Sequence, residues 1–272
     1  LRRNETMATE ELKEQMKANY NIDITGAPRP ANSTNATAMA AVTLLTPYEM
    51  FHFELWKKYY GEAFGHENLY VILHYHPEDP GALSRLDLTG ITVAGLFCEY
   101  SPATSTQMQR DRTHDLLAMG YTYVVNGDVD EFLVPDKVKY PGGLREFALK
   151  DPGLRERDYV RTHGVSVQQR PDESRYNPSK PLFAQRSKWW KDDPYYCKVM
   201  LVRRSERTPP DAWDWAVGQH ELFRQGVRLE NTTNCGGPNT TDDAKLVHMK
   251  CYDKEALYHK YDGQGNDMRV WT

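Results

Sequence analysis

Three acidic side chains crowd the segment 121–135, whose sequence is YTYVVNGDVDEFLVP. Asp128, Asp130 and Glu131 come directly after a short apolar run and an Asn-Gly break. Carboxylate oxygens are the donors that Mg²⁺ and Mn²⁺ prefer, and these ions commonly keep waters and bridge substrate phosphates. The spacing therefore predicts a site at which a divalent cation grips a diphosphate.

An acid-rich turn can also follow a strand without binding any ion. Apolar residues flank these acids closely on both sides, however, and a buried carboxylate without a cation is costly. An EF-hand fits poorly, because the segment lacks the glycine and the twelfth-position glutamate in register.

Strands and helices alternate ahead of the acids. Strands are predicted at 41–45, 69–73, 91–98 and 121–125, and helices at 50–64 and 101–119. This alternation predicts an α/β, Rossmann-like fold with a mostly parallel sheet and flanking helices. Ligands bind outside the carboxyl ends of such strands, so the loops after the first, second and fourth strands are expected to share one edge.

The second half of the chain has a less regular pattern. Its predicted elements are a helix at 142–149, strands at 159–169, 196–203 and 245–249, a long loop at 170–195 and a helical tail at 256–261. Trp213, Trp215 and His220 lie in a segment with little periodicity. Loops as long as the one at 170–195 are often functional.

Composition limits the classes of partner. The chain has 272 residues, 39% of them hydrophobic, and a formal net charge of −4. The negative charge offers no basic field, so nucleic acid is not an expected partner. No apolar run approaches the ~18–20 residues of a membrane helix, so no transmembrane segment is expected in this chain. Because the first residue is Leu1, an upstream signal or anchor stays open.

Cysteines and glycosylation sequons bear on the compartment. The four cysteines lack C-x-x-C spacing, which argues against a zinc site, and Cys235 and Cys251 could pair in an oxidising compartment. N-x-S/T sequons begin at Asn4, Asn32, Asn35, Asn231 and Asn239. If they are used, the protein belongs to the secretory pathway, with the Golgi lumen as the expected site. If Thr/Asn-rich loops merely generate them by composition, a cytoplasmic protein is expected.

The order of the motifs resembles a known family. The runs AVTLLTPYEMFHFELWKKYYGEAFG, LYVILHYHPEDP and QRDRTHDLLAMGYTYVVNGDVDEFLVP resemble the nucleotide-binding half of GT-A glycosyltransferases, most closely the family 2-like and family 92 (DUF23-type) group. YCKVMLVR, VGQHE and LVHMKCYDKEALYHK are similar to that group's Lys-strand, downstream His and closing His motif. The match covers about residues 41–262 and departs at 46–49, where TPYE stands in place of the usual Lys-Asn-Glu.

The resemblance implies a metal-dependent glycosyltransferase, inverting, that moves a sugar from a nucleotide-sugar to a hydroxyl of a glycan or glycoconjugate. UDP is the default carrier of the donor, and GDP stays open. Residues 1–40 would form a peripheral stem or arm, and 41–272 a single catalytic domain. Within that domain, 41–135 would be the nucleotide-sugar half and 136–272 the acceptor half.

The resemblance also implies roles for the acids. Asp130 is the expected direct ligand of Mn²⁺ or Mg²⁺, Asp128 would contact the ribose or a metal-bound water, and His248 would be a third metal ligand. The expected nucleotide-sugar contacts are Thr46, Tyr48, His74, Arg112, Asp128, Val129, Lys198 and Lys250. Among these, the cations of Lys198 and Arg112 suit the diphosphate. Tyr48 would stack on the base, and His74 or His76 would approach it.

An inverting transfer needs a base that takes the proton of the acceptor hydroxyl. The candidates are Asp214, Glu221, Glu173 and Asp193. Asp214 is chosen because Trp213 and Trp215 flank it, since indoles often stack on sugars and an apolar setting favours proton uptake by a carboxylate. Ordinary packing of these two tryptophans is the open alternative. Trp189 and Trp190 would form a lid with the loop 170–195, and His220 would face the acceptor.

Three other functions are alternatives for the same residues. A sugar nucleotidyltransferase would share the acids, but it usually has a Gly-rich basic loop after the first strand, and LLTPYEM has no glycine. A carbohydrate- or nucleotide-binding domain without activity is the second alternative, and intact Asp128, Asp130 and His248 argue against it. A phosphate-ester hydrolase would need a nucleophile or a second metal cluster, which the sequence does not show.

Overall fold

The structure is a computed structural model. It describes Glu14, Lys17, Ala18 and the ranges 37–74, 80–97, 101–191, 197–216, 219, 221–231 and 239–254. Most of the arm predicted for residues 1–40 therefore lies outside the described residues, as does the predicted tail at 256–261. The same holds for His76, Asp193 and His220.

One half of the main sheet is parallel and carries the four strands that the sequence predicts ahead of the acids. Its strands are β1 (Met39–Leu45), β2 (Leu69–His74), β3 (Thr92–Phe97) and β4 (Tyr123–Asn126), in the order β3-β2-β1-β4. All three pairings are parallel. Nearly every residue of these strands is buried, as continuous apolar runs require in a sheet covered on both faces.

The other half of the main sheet is mixed. Its strands are β5 (Glu131–Pro135), β6 (Tyr159–Gln168), β7 (Lys188–Lys191), β8 (Val199–Arg203) and β12 (Thr240–Cys251). The order continues β4-β8-β6-β12-β5, with β7 also pairing β6. Only β6 and β12 pair in parallel, so β5, β7 and β8 oppose the other six strands of this described sheet. The predicted α/β class with a mostly parallel sheet is confirmed.

Helices cover both faces of the sheet. They are α1 (Met50–Phe64), α2 (Pro102–Ala118), α3 (Gly143–Lys150) and α4 (Pro152–Arg157). One apolar core joins α1 and α3 to the sheet, and a second joins α2 to the opposite face. Helix α1 has the bounds that the sequence predicts, and α2 begins after the predicted cap, where the Ser101 hydroxyl accepts from the Thr104 N–H at 3.0 Å. No described helix is long and apolar enough to cross a membrane.

The segment with little periodicity in its sequence forms a small antiparallel sheet. It consists of β9 (Trp213–Trp215), β10 (Glu221–Arg224) and β11 (Val227–Asn231). Trp213 and Trp215 are 0% and 5% exposed, and both belong to the core beneath α2. Their indoles drive the packing of this sheet, because burying an aromatic side chain removes much apolar surface from water.

Cysteine pairing differs from the sequence expectation. Cys251 is not part of a disulfide, so the pairing with Cys235 that the sequence left open does not form. Cys197 is disulfide-bonded.

Two tyrosines of α1 close the outer edge of β5. The Tyr60 hydroxyl donates to the Glu131 carbonyl at 3.3 Å and accepts from the Leu133 N–H at 3.0 Å. The Tyr59 hydroxyl donates to the Leu133 carbonyl at 2.7 Å. These bonds satisfy backbone N–H and C=O groups of β5 that would otherwise be open for pairing with another chain. They also fix α1 to the strand that begins at Glu131.

Replacing Tyr60 by phenylalanine should destabilise the protein. Tyr60→Phe keeps the ring but leaves the buried Leu133 N–H without its acceptor, which costs about 1–3 kcal/mol. Chemical denaturation measures the change in the free energy of unfolding. Val138→Ala is the control, because Val138 is 93% exposed. Equal stability of the two variants would contradict the proposed role of this hydroxyl.

Candidate active site

The acidic turn at the end of β4 is closed by its own side chain and backbone. The Asp128 N–H donates to Oε2 of Glu131 at 3.3 Å, and the Glu131 N–H donates to the Asp128 carbonyl at 3.0 Å. Glu131 is only 1% exposed, because it begins β5 beneath α1. The Asp128 side chain is half exposed at the carboxyl edge of the sheet. The turn thus presents one carboxylate outward and keeps another inside.

Lys198 supplies the cation for both carboxylates. Its Nζ lies 2.7 Å from Oε1 of Glu131 and 3.1 Å from Oδ2 of Asp128, and its side chain is 3% exposed. The residue directly precedes β8, and the antiparallel pairing of β8 with β4 brings it beside the end of β4. Because β4 and β8 are antiparallel neighbours, the Lys198 ammonium lies against the carboxylates of Asp128 and Glu131.

The two buried charges shift each other's protonation. Burial lowers the pKa of Lys198, but the carboxylates of Asp128 and Glu131 outweigh it and hold that pKa above its usual range. Burial raises the pKa of Glu131, and the Lys198 ammonium only partly offsets this. Lys198 is therefore charged throughout the physiological range, and the site depends on that charge.

Asp130 and His248 form a second pair beside the turn. Nε2 of His248 lies 3.4 Å from Oδ2 of Asp130, and both side chains are less than 10% exposed. Strand β12 places His248 opposite Glu131 of β5, and the Met249 N–H donates to the Asp130 carbonyl at 2.7 Å. The pairing of β12 with β5 thus brings together two residues that are far apart in sequence.

Helix α1 fixes the backbone next to His248. Nε2 of His52, which is 1% exposed, lies 3.2 Å from the Met249 carbonyl, so this nitrogen carries the proton and donates. The sequence interpretation missed His52, as it missed Glu131 as the partner of Lys198. The helical periodicity places His52 on the buried face, but nothing in the sequence identifies the carbonyl it meets.

The predicted metal ligands divide between these two pairs. Asp128 faces Lys198, whereas Asp130 and His248 lie side by side, and no group of three metal-binding side chains forms among the described residues. Mg²⁺ and Mn²⁺ need no such cage, because they are often held by one or two protein ligands together with substrate phosphates. The Asp130 carboxylate suits an ion of this kind, and the His248 imidazole, which is more typical of Zn²⁺, Cu²⁺ and Fe²⁺ sites, would be the second protein ligand.

Thr46 and Tyr48 follow β1, and His74 is the last residue of β2, at the edge that also carries Asp128. Thr46 uses its hydroxyl and N–H to bind Oε2 of Glu49, at 3.0 and 3.3 Å, and so caps the short helix Pro47–Glu49 that contains Tyr48. His74 is buried and stacks on Phe97, with ring centroids 4.6 Å apart. The structure brings these residues to the predicted edge.

Three other predicted contacts have different surroundings. Arg112 forms an ion pair of 2.7 Å with Asp115 of its own helix. Val129 is 1% exposed and belongs to the core, so its side chain is not available to a ligand. Lys250 is half-buried on β12, two residues beyond His248.

Asp214 has surroundings that differ from the expectation. The indoles of Trp213 and Trp215 are buried in the core, so the prediction that they stack on a sugar is wrong. Oδ1 of Asp214 accepts from Arg110 of α2 at 3.0 Å, and the Asp214 side chain is 49% exposed. The residue is therefore an accessible, ion-paired carboxylate rather than one in an apolar setting.

The other two described candidates for the base, Glu173 and Glu221, also have hydrogen-bond or ion-pair partners. Burial raises the pKa of Glu173, but hydrogen bonds from the Arg170 N–H and from Ser187 outweigh this and lower that pKa to about 2. Such a carboxylate is a weak base at neutral pH. Glu221 pairs with Arg228 across the β10–β11 hairpin.

The long loop predicted as a lid is anchored by a buried arginine. Arg186 donates to the Tyr252 carbonyl at 2.6 Å and to the Ser174 carbonyl at 3.1 Å, and its guanidinium lies 4.4 Å from the centroid of the Tyr252 ring. The same group lies 3.7 Å from Oδ2 of Asp253. These contacts tie residues 170–187 to the end of the strand that carries His248.

The two lid tryptophans belong to β7, a strand that the sequence interpretation placed within a loop. Trp189 is 38% exposed and packs against Phe183, while its indole N–H donates to the Arg186 carbonyl at 3.0 Å. Trp190 pairs with Ser166 of β6 through the backbone.

Comparisons with known proteins find similarity only at the level of coordinates. No protein-family model matches the chain, and no curated protein sequence matches it. A mannose-1-phosphate geranyltransferase from Thermus thermophilus is 12% identical over 62% of this chain and 51% of its own, with a TM-score of 0.29. The mannosyltransferase Ktr4p from S. cerevisiae is 10% identical over 63% and 52%, with a TM-score of 0.26. This chain thus spans about half the length of each.

Removing the Lys198 cation should destabilise the protein in a pH-dependent way. Lys198→Met leaves Glu131 buried without its partner, which typically costs about 3–5 kcal/mol. Without the ammonium the pKa of Glu131 rises further, so the variant regains stability as Glu131 takes up a proton at low pH. Denaturation at pH 5 and pH 8 should therefore show a smaller loss at pH 5.

The double variant Lys198→Met/Glu131→Gln provides the control. It has no buried carboxylate at position 131, so its stability relative to the wild type should depend much less on pH. If Lys198→Met loses the same free energy of unfolding at both pH values, the ion pair is not what stabilises this turn.

Proposed function

We propose that this chain is a metal-dependent glycosyltransferase that moves a sugar from a nucleotide-sugar to a hydroxyl of a glycan or glycoconjugate, with inversion. UDP is the proposed carrier. The observation that supports this most is the convergence of Asp128, Lys198, Asp130 and His248 at the carboxyl edge of an α/β sheet. Small-molecule sites of open α/β sheets lie at that edge.

The charges of the site favour a diphosphate bound together with a cation. Asp128, Asp130 and Glu131 bring three carboxylates, and Lys198 is the ammonium that pairs with two of them. This excess of negative charge would repel a diphosphate on its own, whereas an added divalent cation would reverse the balance. Mn²⁺ or Mg²⁺ held by Asp130 and His248 would act as a Lewis acid on the diphosphate leaving group.

The protein side chains would then bind and orient the donor. Lys198 holds the Asp128 carboxylate in place, and the half-exposed Asp128 can accept a hydrogen bond from a ribose hydroxyl. Thr46, Tyr48 and His74 lie at the carboxyl ends of β1 and β2, on the same edge, and are the proposed neighbours of the nucleoside. Positioning of this kind can supply much of the rate acceleration in a transfer reaction.

Asp214 remains the proposed base for the acceptor hydroxyl. Its Oδ1 accepts a hydrogen bond from Arg110 of α2 at 3.0 Å, which fixes the orientation of the carboxylate. Its exposure leaves room for an acceptor. Glu173 is a poorer choice, because its pKa of about 2 makes it a weak base.

The nucleotidyltransferase alternative is less favoured by the structure after β1. A triphosphate is commonly cradled by backbone N–H groups of a glycine-rich loop at a helix N-terminus. Here the chain turns directly into the short helix Pro47–Glu49, and the Thr46 N–H already donates a hydrogen bond to the buried carboxylate of Glu49. An anion would have to displace that carboxylate.

A secretory location is the proposed compartment. The disulfide at Cys197 supports it, because disulfides persist mainly in oxidising compartments. The sequon at Asn239 also supports it, because Asn239 directly precedes β12 and is half-buried rather than enclosed.

Turnover of a donor panel tests the proposal. UDP- and GDP-sugars would be supplied with Mn²⁺, Mg²⁺ or EDTA, and hydrolysis or transfer measured for the wild type, Asp130→Asn and His248→Ala. One donor should turn over, and EDTA or either substitution should reduce the rate by about 100-fold, the usual effect of losing an electrostatic stabiliser. Asp242→Asn is the matched control on β12, because Asp242 is 86% exposed.

Turnover that survives both EDTA and the substitutions would contradict the metal role of Asp130 and His248. Formation of a nucleotide-sugar from a nucleoside triphosphate and a sugar phosphate, without transfer, would identify the nucleotidyltransferase. Binding of a nucleotide-sugar without turnover on any acceptor would favour the inactive binding domain.

A further inference from the structure

Gln219 has a backbone conformation that a glutamine rarely adopts. Its φ of 60° lies in the left-handed region, and the residue is 3% exposed. It lies in the connection between β9 and β10, where its N–H donates to the Ala216 carbonyl at 2.8 Å. A non-glycine residue keeps such a conformation only when its surroundings hold it there, and such residues cluster at functional sites.

A buried network of amides holds Gln219. Its Nε2 donates to Oε1 of Gln109 on α2 and, at 3.2 Å, to Oδ1 of Asn126 at the end of β4. Nε2 of Gln109 in turn donates to the Gly127 carbonyl at 3.4 Å. Gln109 and Asn126 are 3% and 1% exposed, so water does not compete for these bonds.

This network reaches the peptide that directly precedes Asp128. Gly127 packs so closely there that a Cβ atom on it would lie 2.2 Å from Cε of Met200. The turn is thus held from two directions, by Glu131 and Lys198 on one side and by the amides of Gln109, Gln219 and Asn126 on the other.

We propose that Gln219 is a positioning residue for the acidic turn, and that its strained conformation is retained because its side chain fixes Asn126 directly and Gly127 through Gln109. It links the β9–β10 connection to the turn that presents Asp128. The catalytic consequence rests on the proposed function, whereas the effect on the turn itself does not. A merely structural amide would support the fold without changing the mobility of the turn or the binding of a donor.

The chain contains a matched control. Gln225, in the turn between β10 and β11, is also left-handed, with φ of 51°, but it is exposed. Glycine relieves the same strain at both positions. Gln219→Gly also removes the buried side-chain hydrogen bonds to Gln109 and Asn126, whereas Gln225→Gly removes no hydrogen bond that reaches the acidic turn.

Hydrogen exchange and kinetics distinguish the two variants. In Gln219→Gly the amide hydrogens of residues 127 and 128 should exchange about tenfold faster than in Gln225→Gly, and the KM for the donor should rise about 10-fold or more, as for other supporting groups of a site. Gln219→Glu, which keeps the shape but has no Nε2–H donor, should show the same direction of change. Gln219→Asn, which tolerates the left-handed region and keeps an amide, should recover part of the wild-type behaviour.

Equal exchange at residues 127 and 128 and equal KM in Gln219→Gly and Gln225→Gly would overturn the proposal. If Gln219→Gly fails to fold, Gln219→Glu and Gln219→Asn decide by the same two measurements. If the wild type neither binds nor turns over any nucleotide-sugar, the proposed function fails, and the exchange rates alone still decide the role of Gln219.

Discussion

A buried carboxylate that must have a cation determines the arrangement of the candidate site. Glu131 begins β5 inside the protein, and the ammonium of Lys198 lies 2.7 Å from it. Without that ammonium, an ionised Glu131 would be an uncompensated charge in the core. The acidic turn, strand β5 that begins at Glu131 and strand β8 that begins directly after Lys198 therefore have to fold together.

The rest of the sheet supplies the other half of the site. Strand β12 runs against β5 and brings His248 to Asp130, while α1 holds the same region through Tyr60 and His52. Each of these contacts joins residues that are distant in sequence. The site is thus a property of the assembled mixed half of the sheet, whereas the parallel half contributes the edge at which a nucleotide would lie.

The elements with strong local patterns are the ones that the sequence predicts well. Helix α1 and strands β1 to β4 lie at or within a few residues of their predicted bounds, because continuous apolar runs and helical spacing are local signals. Strands β7 and β9 were missed, because each is only three or four residues long and carries large aromatic residues without a regular alternation.

The chemistry of the site is predictable only in part, for a related reason. Residue types and spacing single out Asp128 and Asp130, and the resemblance adds His248 and Lys198. Which carboxylate faces Lys198 and which faces His248 depends on strand register, since a shift by one residue would exchange the faces. For Trp213 and Trp215 the residue type alone is not enough, because the sequence does not distinguish a tryptophan buried in a core from one that stacks on a sugar.

Binding of Mn²⁺ followed by electron paramagnetic resonance, with and without UDP, is the measurement that bears most on a cation held by Asp130 and His248 at a nucleotide-diphosphate site. We expect tight binding of Mn²⁺ only when UDP is present, and loss of that binding in Asp130→Asn and His248→Ala. Tight binding that is unchanged by both substitutions, or no binding in the presence of UDP, would contradict it.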